Sequence, residues 1–330
     1  TVAGNPVLST PNGRQLDTAL AQLDYMVSID FYVNETTRHA HLILPPTCGV
    51  EHDHYDLIFH HLAVRNTTRW SAPLVPKPAG TKHDWEIYNG LAQAYRARMD
   101  GAVPLATRLK KLPALAKQRL RPDQLVDLGL RLGPYGALKA QRLSLRKLKR
   151  HPHGIDLGPL QPCLPERLFT ADKRIHCAIP ELITDVPRAR EQLLAGTTAP
   201  LQLIGRRHLR SNNSWMHNAE RLVKGKERCL LMIHPEDAAA LGLSEAAPAR
   251  LHSRVGEIEV SLQFTTEMMR GVVSLPHGWG HGREGVNLRV AQVHAGVSLN
   301  DLTDELLLDE PSGNAALSGL PVRLSAVARA

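Results

Sequence analysis

The polar loop between residues 205 and 214 carries the densest set of groups that could bind an anion. It follows an apolar segment directly and combines positive charge with hydroxyl and amide side chains. Guanidinium groups pair with phosphate oxygens through charge-assisted hydrogen bonds, and neutral polar side chains add further contacts. We therefore interpret the loop as a site for a pyrophosphate or a pterin, the alternative being an exposed basic loop. Its candidate residues are Gly205, Arg206, Arg207, His208, Ser211 and Asn213.

A carboxylate ends a short apolar run near the start of the chain. Residues 25–30 form that run, which stops at Asp30, and residues 41–44 form another, which is followed by Pro45 and Pro46. Since parallel sheets place ligand contacts at the carboxyl ends of their strands, Asp30 is a candidate binding residue. The alternative is that Asp30 only caps the turn that follows it.

The other reactive side chains do not indicate a metal site. Residues 51–61 are rich in histidine and acidic residues, but neighbouring polar residues in a loop are more typical of a solvated surface than of a chelate. The cysteines are widely spaced and form no Cys-x-x-Cys pair, so no zinc or iron–sulfur pattern is visible. We assign neither a metal ligand nor a catalytic residue to this chain. The cysteines are Cys48, Cys163, Cys177 and Cys229.

The positive charge of the chain is concentrated in one segment. The formal net charge is +8, and residues 107–150 hold thirteen Lys or Arg against Asp123 and Asp127. A basic stretch attracts phosphate of any kind, including that of nucleic acids. Only Tyr135 could stack on bases there, so we favour a solvated helical face and do not expect nucleic-acid binding.

The composition is that of a folded protein, with 43% hydrophobic and 22% charged residues. No apolar run approaches the roughly 20 residues that span a bilayer, and no signal peptide is visible. We therefore expect no membrane span and a cytoplasmic location. The chain opens at Thr1, without methionine, in what resembles the end of a strand, so we also expect a fragment whose upstream domains are missing.

The order of predicted elements indicates two domains joined by a linker. Loops, helices and short apolar runs alternate over residues 1–150, which is typical of a parallel sheet covered by helices; further helices are predicted from Asp84 and from Pro122. Residues 151–200 are rich in proline and lack periodicity, which predicts an extended linker. Closely spaced strands over residues 201–330, with a short helix beginning at Pro235, predict a compact β-barrel.

Both halves of the chain resemble one known family. The order and spacing of several short motifs are similar to those of the dimethyl sulfoxide reductase family of molybdopterin enzymes, which contains formate dehydrogenases and nitrate reductases. The motifs that resemble its third domain are Gly-Asn-Pro-Val-Leu-Ser-Thr-Pro at 4–11, Ser-Ile-Asp at 28–30, Asn-Glu-Thr-Thr at 34–37 and Ile-Leu-Pro at 43–45. Those that resemble its fourth domain are Pro-Glu-Asp-Ala at 235–238, His-Ser-Arg at 252–254 and Asn-Asp-Leu-Thr at 300–303.

The resemblance implies an α/β fold and a particular cofactor. A Rossmann-like parallel-sheet domain, incomplete at its N-terminus, would precede a double-psi β-barrel, and the two would bind a bis-molybdopterin guanine dinucleotide with molybdenum or tungsten. Asp30 and Asp127 would bind the guanine nucleosides, and Asn300 a pterin. For Asn5 and Asn314 a cofactor contact and a purely local turn role both stay open, as does a solvated helix position for Asp127.

On this interpretation the chain holds the guanine-dinucleotide ends of the cofactor of an oxidoreductase. Family members bring the metal ligand, and often an iron–sulfur cluster, from their first two domains, so we expect both outside this chain and no activity from the chain alone. The expected partners are the missing N-terminal domains, a small-molecule substrate and an electron-transfer partner. The alternatives are a separate, non-catalytic cofactor-binding subunit and a basic nucleic-acid-binding module.

Overall fold

The computed structural model describes residues 1–99, 120–196 and 201–327. The chain divides into two compact units, Thr1–Ile43 with His176–Ala330 and, between them in sequence, Leu44–Ile175. We name the first the sheet unit and the second the basic unit. The first 43 residues therefore belong to the same compact unit as the C-terminal half, whereas the predicted domains are continuous in sequence. The domain boundaries at residues 150 and 200 stay a prediction.

The first 43 residues form a small parallel arrangement crossed by helices. Strand β1 (Val27–Ser28) pairs in parallel with β2 (Leu42–Ile43), and Val2 forms a parallel bridge to Ile29. Helices α1 (Pro6–Ser9) and α2 (Gly13–Ala21) lie between Val2 and β1 along the chain. The apolar runs 25–30 and 41–44 are confirmed as strands and a helix precedes them, but the motif at 34–37, which predicts a helix start, leads only into a 3-10 turn at Thr37–His39.

A seven-stranded mixed sheet forms the rest of the sheet unit. Its strands are β7 (Leu201–Arg206), β8 (Leu231–Ile233), β9 (Ala249–His252), β10 (Glu257–Val260), β11 (Leu262–Phe264), β12 (Val272–Pro276) and β15 (Leu320–Ala326). Their order across the sheet is β10-β9-β15-β7-β12-β8-β11, and β12 runs parallel to β7 while β15 runs antiparallel to it. Alternate side chains of these strands enter one apolar core, which includes the fully buried Leu203, Leu231 and Leu251.

The predicted mixed α/β character and the predicted strands beyond residue 201 are confirmed, and the specific double-psi topology stays a prediction. Smaller elements surround the sheet. They are a helix at Glu220–Val223, a helix at Arg289–Val293, a 3-10 turn at Leu299–Asp301 and the two-stranded pair Leu308–Asp309 with Asn314–Ala315.

The short helix at Pro235–Ala240 forms as its sequence predicts. Pro235 occupies the first turn, where no backbone donor is needed, and the side chain of His234 accepts from the amide of Glu236 at 3.2 Å. Gly242 follows the helix in the left-handed region at φ +63°. Ala238 is fully buried in the core, which anchors the helix to the sheet.

The basic unit combines two antiparallel strand pairs with helices. Strand β3 (His54–Tyr55) pairs with β5 (Trp70–Ser71), and β4 (Asn66–Thr68) pairs with β6 (Ile155–Gly158). The predicted helices from Asp84 and Pro122 are confirmed. The helices are α3 (Asp84–Met99), α4 (Pro122–Leu132) and α5 (Leu145–Lys149).

Part of the predicted basic stretch, namely Arg108, Lys110, Lys111, Lys117 and Arg119, lies outside the described residues.

The prediction of an extended linker over residues 151–200 needs a correction, because Pro180–Ala195 is a 16-residue helix. Proline density argued against a helix, but Pro180 stands in the first turn, where its fixed φ suits a helix start. Glu181 adds an acidic residue favourable to that end of the helix dipole. No helix among residues 1–99, 120–196 and 201–327 is long and apolar enough to cross a membrane.

Candidate functional site

A cavity of about 480 Å³ lies beside the carboxyl ends of two adjacent parallel strands of the sheet unit. Strand β7 ends at Arg206 and β12 at Pro276, and these two residues are register partners. Ligands of parallel sheets bind at such strand ends. We name this space the strand-end cavity; its lining is Arg207, His208, Leu209, Ser211, Asn212, Asn213, Met216 and His277.

Close backbone packing shapes the walls of the strand-end cavity. A Cβ atom on Gly278 would lie 2.1 Å from the carbonyl oxygen of Asn213, and Gly278 has φ +93°. Only glycine combines that conformation with that approach. Asn212 and Asn213 themselves adopt left-handed conformations, at φ 44° and 58°, which asparagine tolerates better than most residues. The two loops are therefore held backbone against backbone.

The cavity wall offers donors suited to an anion. The Arg207 guanidinium donates to the Asn213 side-chain oxygen, which directs the arginine along the wall. Burial and then the charge of Arg207 lower the pKa of His277, and burial followed by three nearby arginines lowers the pKa of His208. Neutral imidazoles beside a guanidinium can bind a proton when a negative ligand arrives. The wall thus supplies one fixed and two inducible positive charges.

A continuous chain of buried side chains runs from this wall to the N-terminal segment. The Ser211 hydroxyl lies 2.9 Å from His217 Nε2, and His217 Nδ1 lies 2.9 Å from His281 Nε2. His281 Nδ1 in turn lies 2.8 Å from Glu35 Oε1, whose other oxygen accepts from the Asn5 amide at 2.6 Å. All five side chains are at least nine-tenths buried. We name this chain the buried relay.

The electrostatics of the buried relay follow from its burial. Burial and then the charge of His281 lower the pKa of His217 to about 3, so His217 is neutral near pH 7. Burial raises the pKa of Glu35, but the hydrogen bonds from His281 and Asn5 and the charge of His281 outweigh it, and the pKa lies below its ordinary value. Glu35 is therefore a buried carboxylate that is stabilised by its partners. Trp279 stacks on the His217 ring at 3.9 Å and fixes its plane.

The six predicted residues of the 205–214 loop divide into two groups. Arg207, His208, Ser211 and Asn213 line the strand-end cavity. Gly205 and Arg206 belong to strand β7 instead. The Arg206 guanidinium turns into the sheet, where it donates to the carbonyl oxygens of residues 274 and 230 at 3.0 Å each.

The other predicted residues of the sheet unit mainly make local contacts. Asp30 accepts from the amides of residues 31 and 32, at 2.7 and 3.1 Å, and burial raises its pKa despite these bonds. The Asn300 amide donates to the Leu8 carbonyl at 2.7 Å and its oxygen accepts from Thr303, which ties two segments of the unit together. Asn314 lies exposed in a two-stranded turn. A cofactor role for these three residues stays a prediction.

Asp127 lies in the basic unit, beside a second cavity of about 460 Å³. One Asp127 oxygen accepts from the Leu145 amide and the other from Arg131 Nε, each at 2.7 Å. Burial raises the pKa of Asp127, but these hydrogen bonds and the charge of Arg131 bring it below its ordinary value. We name this space the basic cavity; its lining is Asp123, Gln124, Asp127, Leu145, Arg146, Lys149 and Arg150.

The sequence interpretation missed the residues that connect the site. Glu35 was recognised only as part of the Asn-Glu-Thr-Thr motif at 34–37, and no role was predicted for His217, His277 or His281. The available signal was the glycine spacing around His277 and His281, because glycines that flank polar residues mark places where backbones approach closely. Within the part of the chain that the structure describes, no three His, Cys, Asp or Glu side chains could together hold a metal ion.

Comparison with known proteins agrees with this architecture. A family model described as Molybdopterin oxidoreductase matches residues 1–94, and one described as Molydopterin dinucleotide binding domain matches residues 201–320. The chain is 22% identical over 294 residues to the assimilatory nitrate reductase catalytic subunit of Bacillus subtilis (strain 168), with 84% of this chain and 37% of that protein covered. It is 23% identical over 316 residues to a dimethyl sulfoxide/trimethylamine N-oxide reductase of Rhodobacter capsulatus, with 84% and 35% covered.

The fold has a solved counterpart. Acetylene hydratase from Pelobacter acetylenicus superimposes with a TM-score of 0.66 over 98% of this chain and 43% of its own, at 17% identity. The chain carries a molybdopterin oxidoreductase domain followed by a dinucleotide-binding domain. It has homologues in the dimethyl sulfoxide reductase family, which confirms the predicted resemblance. It spans 35–37% of the length of these two curated relatives.

Proposed function

We propose that this chain is the cofactor-holding part of a molybdopterin-dependent oxidoreductase and that it grips the guanine-dinucleotide ends of a bis-molybdopterin guanine dinucleotide. The observation that carries the proposal is the strand-end cavity, in which Arg207, His208 and His277 face one space at the carboxyl ends of parallel strands. The metal ligand, and any iron–sulfur cluster, are proposed to come from residues outside this chain, since the relatives named above are more than twice as long.

The donor set of the strand-end cavity fits such a cofactor. A dinucleotide brings phosphate oxygens that accept hydrogen bonds, and guanine and pterin edges that both donate and accept. Arg207 and the two histidines suit the phosphate oxygens, while Ser211 and Asn213 suit the polar edges. Trp279 Nε1 and Ser298 Oγ are buried without a hydrogen-bond partner among the described residues, but neither residue lines this cavity.

The nucleoside ends are proposed to bind at carboxylates. Asp30 follows strand β1, and its carboxylate can accept further hydrogen bonds. Asp127 lies among the cations of the basic cavity. A carboxylate accepts the paired N–H groups of a guanine edge, and nearby cations neutralise phosphate. The seven-stranded sheet is proposed to be the double-psi barrel of this family, and its parallel β7–β12 and β8–β11 pairs support that assignment.

When bound, the cofactor supplies the redox step, in which an oxygen atom, a hydride or electrons pass between a small substrate and the metal. The residues of this chain bind and orient the cofactor and exclude water from its dinucleotide ends. A small-molecule substrate, the upstream domains and an electron-transfer protein are the proposed partners.

The test is cofactor retention by the full-length protein after Arg207→Ala. Loss of a charge-assisted hydrogen bond costs roughly 1.5–3 kcal/mol of affinity, or about tenfold to a hundredfold, so metal and guanine nucleotide per protein should fall after extensive dialysis. Arg323→Ala is the matched control, because Arg323 is an exposed arginine of the same unit on strand β15. Equal metal and nucleotide content in wild type, Arg207→Ala and control would contradict the proposal.

A further inference from the structure

The buried relay joins the strand-end cavity to a carboxylate that no solvent reaches. Ser211 stands at the cavity end, and the fully buried Glu35 stands at the other end, behind His217 and His281. Each link is 2.8 or 2.9 Å long, which is within normal hydrogen-bond distance. Each imidazole uses one ring nitrogen for each of its two side-chain neighbours in the relay. The position of one proton therefore determines which atom donates in every hydrogen bond of the relay.

Two proton arrangements satisfy all the links. In the first, His281 is neutral with its proton on Nδ1, which donates to Glu35, so His281 Nε2 accepts from His217 Nδ1–H and His217 Nε2 accepts from the Ser211 hydroxyl. In the second, one further proton makes His281 an imidazolium whose Nε2–H donates to His217 Nδ1. His217 then carries its own proton on Nε2 and donates to Ser211.

The two arrangements give Ser211 opposite characters toward the cavity. In the first, its only hydroxyl proton points inward, so Ser211 can only accept from a ligand. In the second, the hydroxyl proton is free to be donated into the cavity. His217 is neutral in both arrangements, and only His281 changes charge. Conversion of the first arrangement into the second therefore takes up one proton from solvent, and the only bonds that break and form are N–H and O–H bonds.

We propose that binding of an oxyanion at Ser211 is coupled to uptake of one proton by the His281–Glu35 pair. The protonation state of the buried relay then determines whether Ser211 binds a hydrogen-bond acceptor or a hydrogen-bond donor of the ligand. A phosphate oxygen requires the donor form of Ser211 and therefore the protonated pair. A ring N–H requires the acceptor form and the unprotonated pair. The inference rests on the proposed function in one respect, since a pterin dinucleotide carries both kinds of group.

His217 is faced by the charges of His281, Glu35 and, on the cavity side, His208, and by the Gly278 backbone, which hydrogen-bonds its ring. The neighbouring Arg38 does not bind the Glu35 carboxylate; its Nε donates to the Glu35 carbonyl oxygen and its Nη2 pairs with Asp17.

The experiment is calorimetric titration of the full-length, cofactor-free protein with sulfate near pH 7, in buffers of different ionisation enthalpy, which reports protons taken up per sulfate. Sulfate is a suitable probe because it does not itself titrate there. His208 and His277 also take up protons near an anion, so the informative quantity is the difference between wild type and Ser211→Ala. We expect wild type to take up close to one proton more, and Ser211→Thr, which keeps the hydroxyl, to restore the difference.

Nitrogen-15 spectra of the labelled imidazoles supply an independent readout. Sulfate should move the His217 proton from Nδ1 to Nε2 and protonate both nitrogens of His281 in wild type, but not in Ser211→Ala. Equal proton uptake in wild type and Ser211→Ala, an unchanged His217 tautomer, or no sulfate binding by wild type overturns the inference. The proposed function fails separately, by unchanged metal and nucleotide content in Arg207→Ala.

Discussion

The two cavities of this protein bring acidic and basic residues together in opposite ways. Behind the strand-end cavity, the polar side chains of the buried relay are bonded to one another, and those of Glu35 and His281 have no exposed surface. At the basic cavity the charges are solvated, and the Arg131–Asp127 pair has side chains that are 49% and 30% exposed. Buried networks hold a single geometry, whereas exposed pairs are screened by water and salt. The side chains of the buried relay are therefore fixed, whereas those of the basic cavity are solvated.

This difference shows that a predicted basic stretch and a precise binding site are separate features. The positive charge of the sequence is concentrated in residues 107–150, yet the buried relay lies in the sheet unit, between its N-terminal segment and its C-terminal half. A network whose members come from distant parts of the chain requires the fold before it can exist. Four substitutions test this contrast.

Glu35→Ala should have the largest effect on stability. Removal of the Glu35 carboxylate leaves two buried donors, His281 Nδ1–H and the Asn5 amide, without their acceptor, and each typically costs about 1–3 kcal/mol of unfolding free energy. Urea unfolding measured against Glu259→Ala checks this, because Glu259 pairs with Arg250 at the surface and its loss should change little. A similar small change for both variants would show that the buried relay does not contribute to stability.

Mild acid should weaken the sheet unit through His217. Its pKa is about 3 in the folded protein against 6.5 unperturbed, so the unfolded chain binds more protons between these values and stability falls as the pH drops below 6.5. The slope from this residue is about 1.4 kcal/mol per pH unit. Unfolding free energies at pH 7, 6 and 5 should show a shallower slope in His217→Gln; identical slopes would mean that another group controls the acid response.

Asp30→Ala should lower cofactor retention more than it alters chemistry. A charge-assisted contact to a nucleoside is worth roughly 1.5–3 kcal/mol, and a group remote from the metal contributes mainly binding. In the full-length enzyme, metal and guanine-nucleotide content should fall while turnover per bound metal stays near wild type. Asp24→Ala, an exposed carboxylate of the same segment, is the control. Full retention with lost turnover would place Asp30 in the reacting site.

Asp127→Asn should have the smallest effect on stability, below about 1 kcal/mol, because its ion pair with Arg131 is partly exposed. That change should also shrink further at high salt. If Asp127 binds guanine, nucleotide content should fall even though the unfolding free energy hardly moves. Unchanged nucleotide content would exclude Asp127 from the cofactor site. Asp127 would then be a helix residue whose carboxylate only accepts from Arg131 and from the Leu145 amide.

Local sequence signals determined much of the fold. The helices at Asp84, Pro122 and Pro235 begin where they were predicted, and closely spaced strands such as β9 and β10 form beyond residue 201 as expected, because these features depend on neighbours a few residues apart. The motifs of both domains, in their order along the chain, were enough to predict the family. The helix at Pro180–Ala195 was missed because its prolines were interpreted as helix breakers, although Pro180 stands in the first turn, where proline is tolerated.

Only the tertiary structure decided which polar residues meet. The 205–214 loop was recognised by composition, but the inward turn of Arg206 depends on its place in strand β7, which the loop pattern does not specify. The contact between Glu35 and His281 joins residues 246 positions apart, and no local pattern encodes such a distance. A buried polar network is specified by what the packed backbone brings together and by the cost of leaving any member unpaired, and both arise only once the chain has folded.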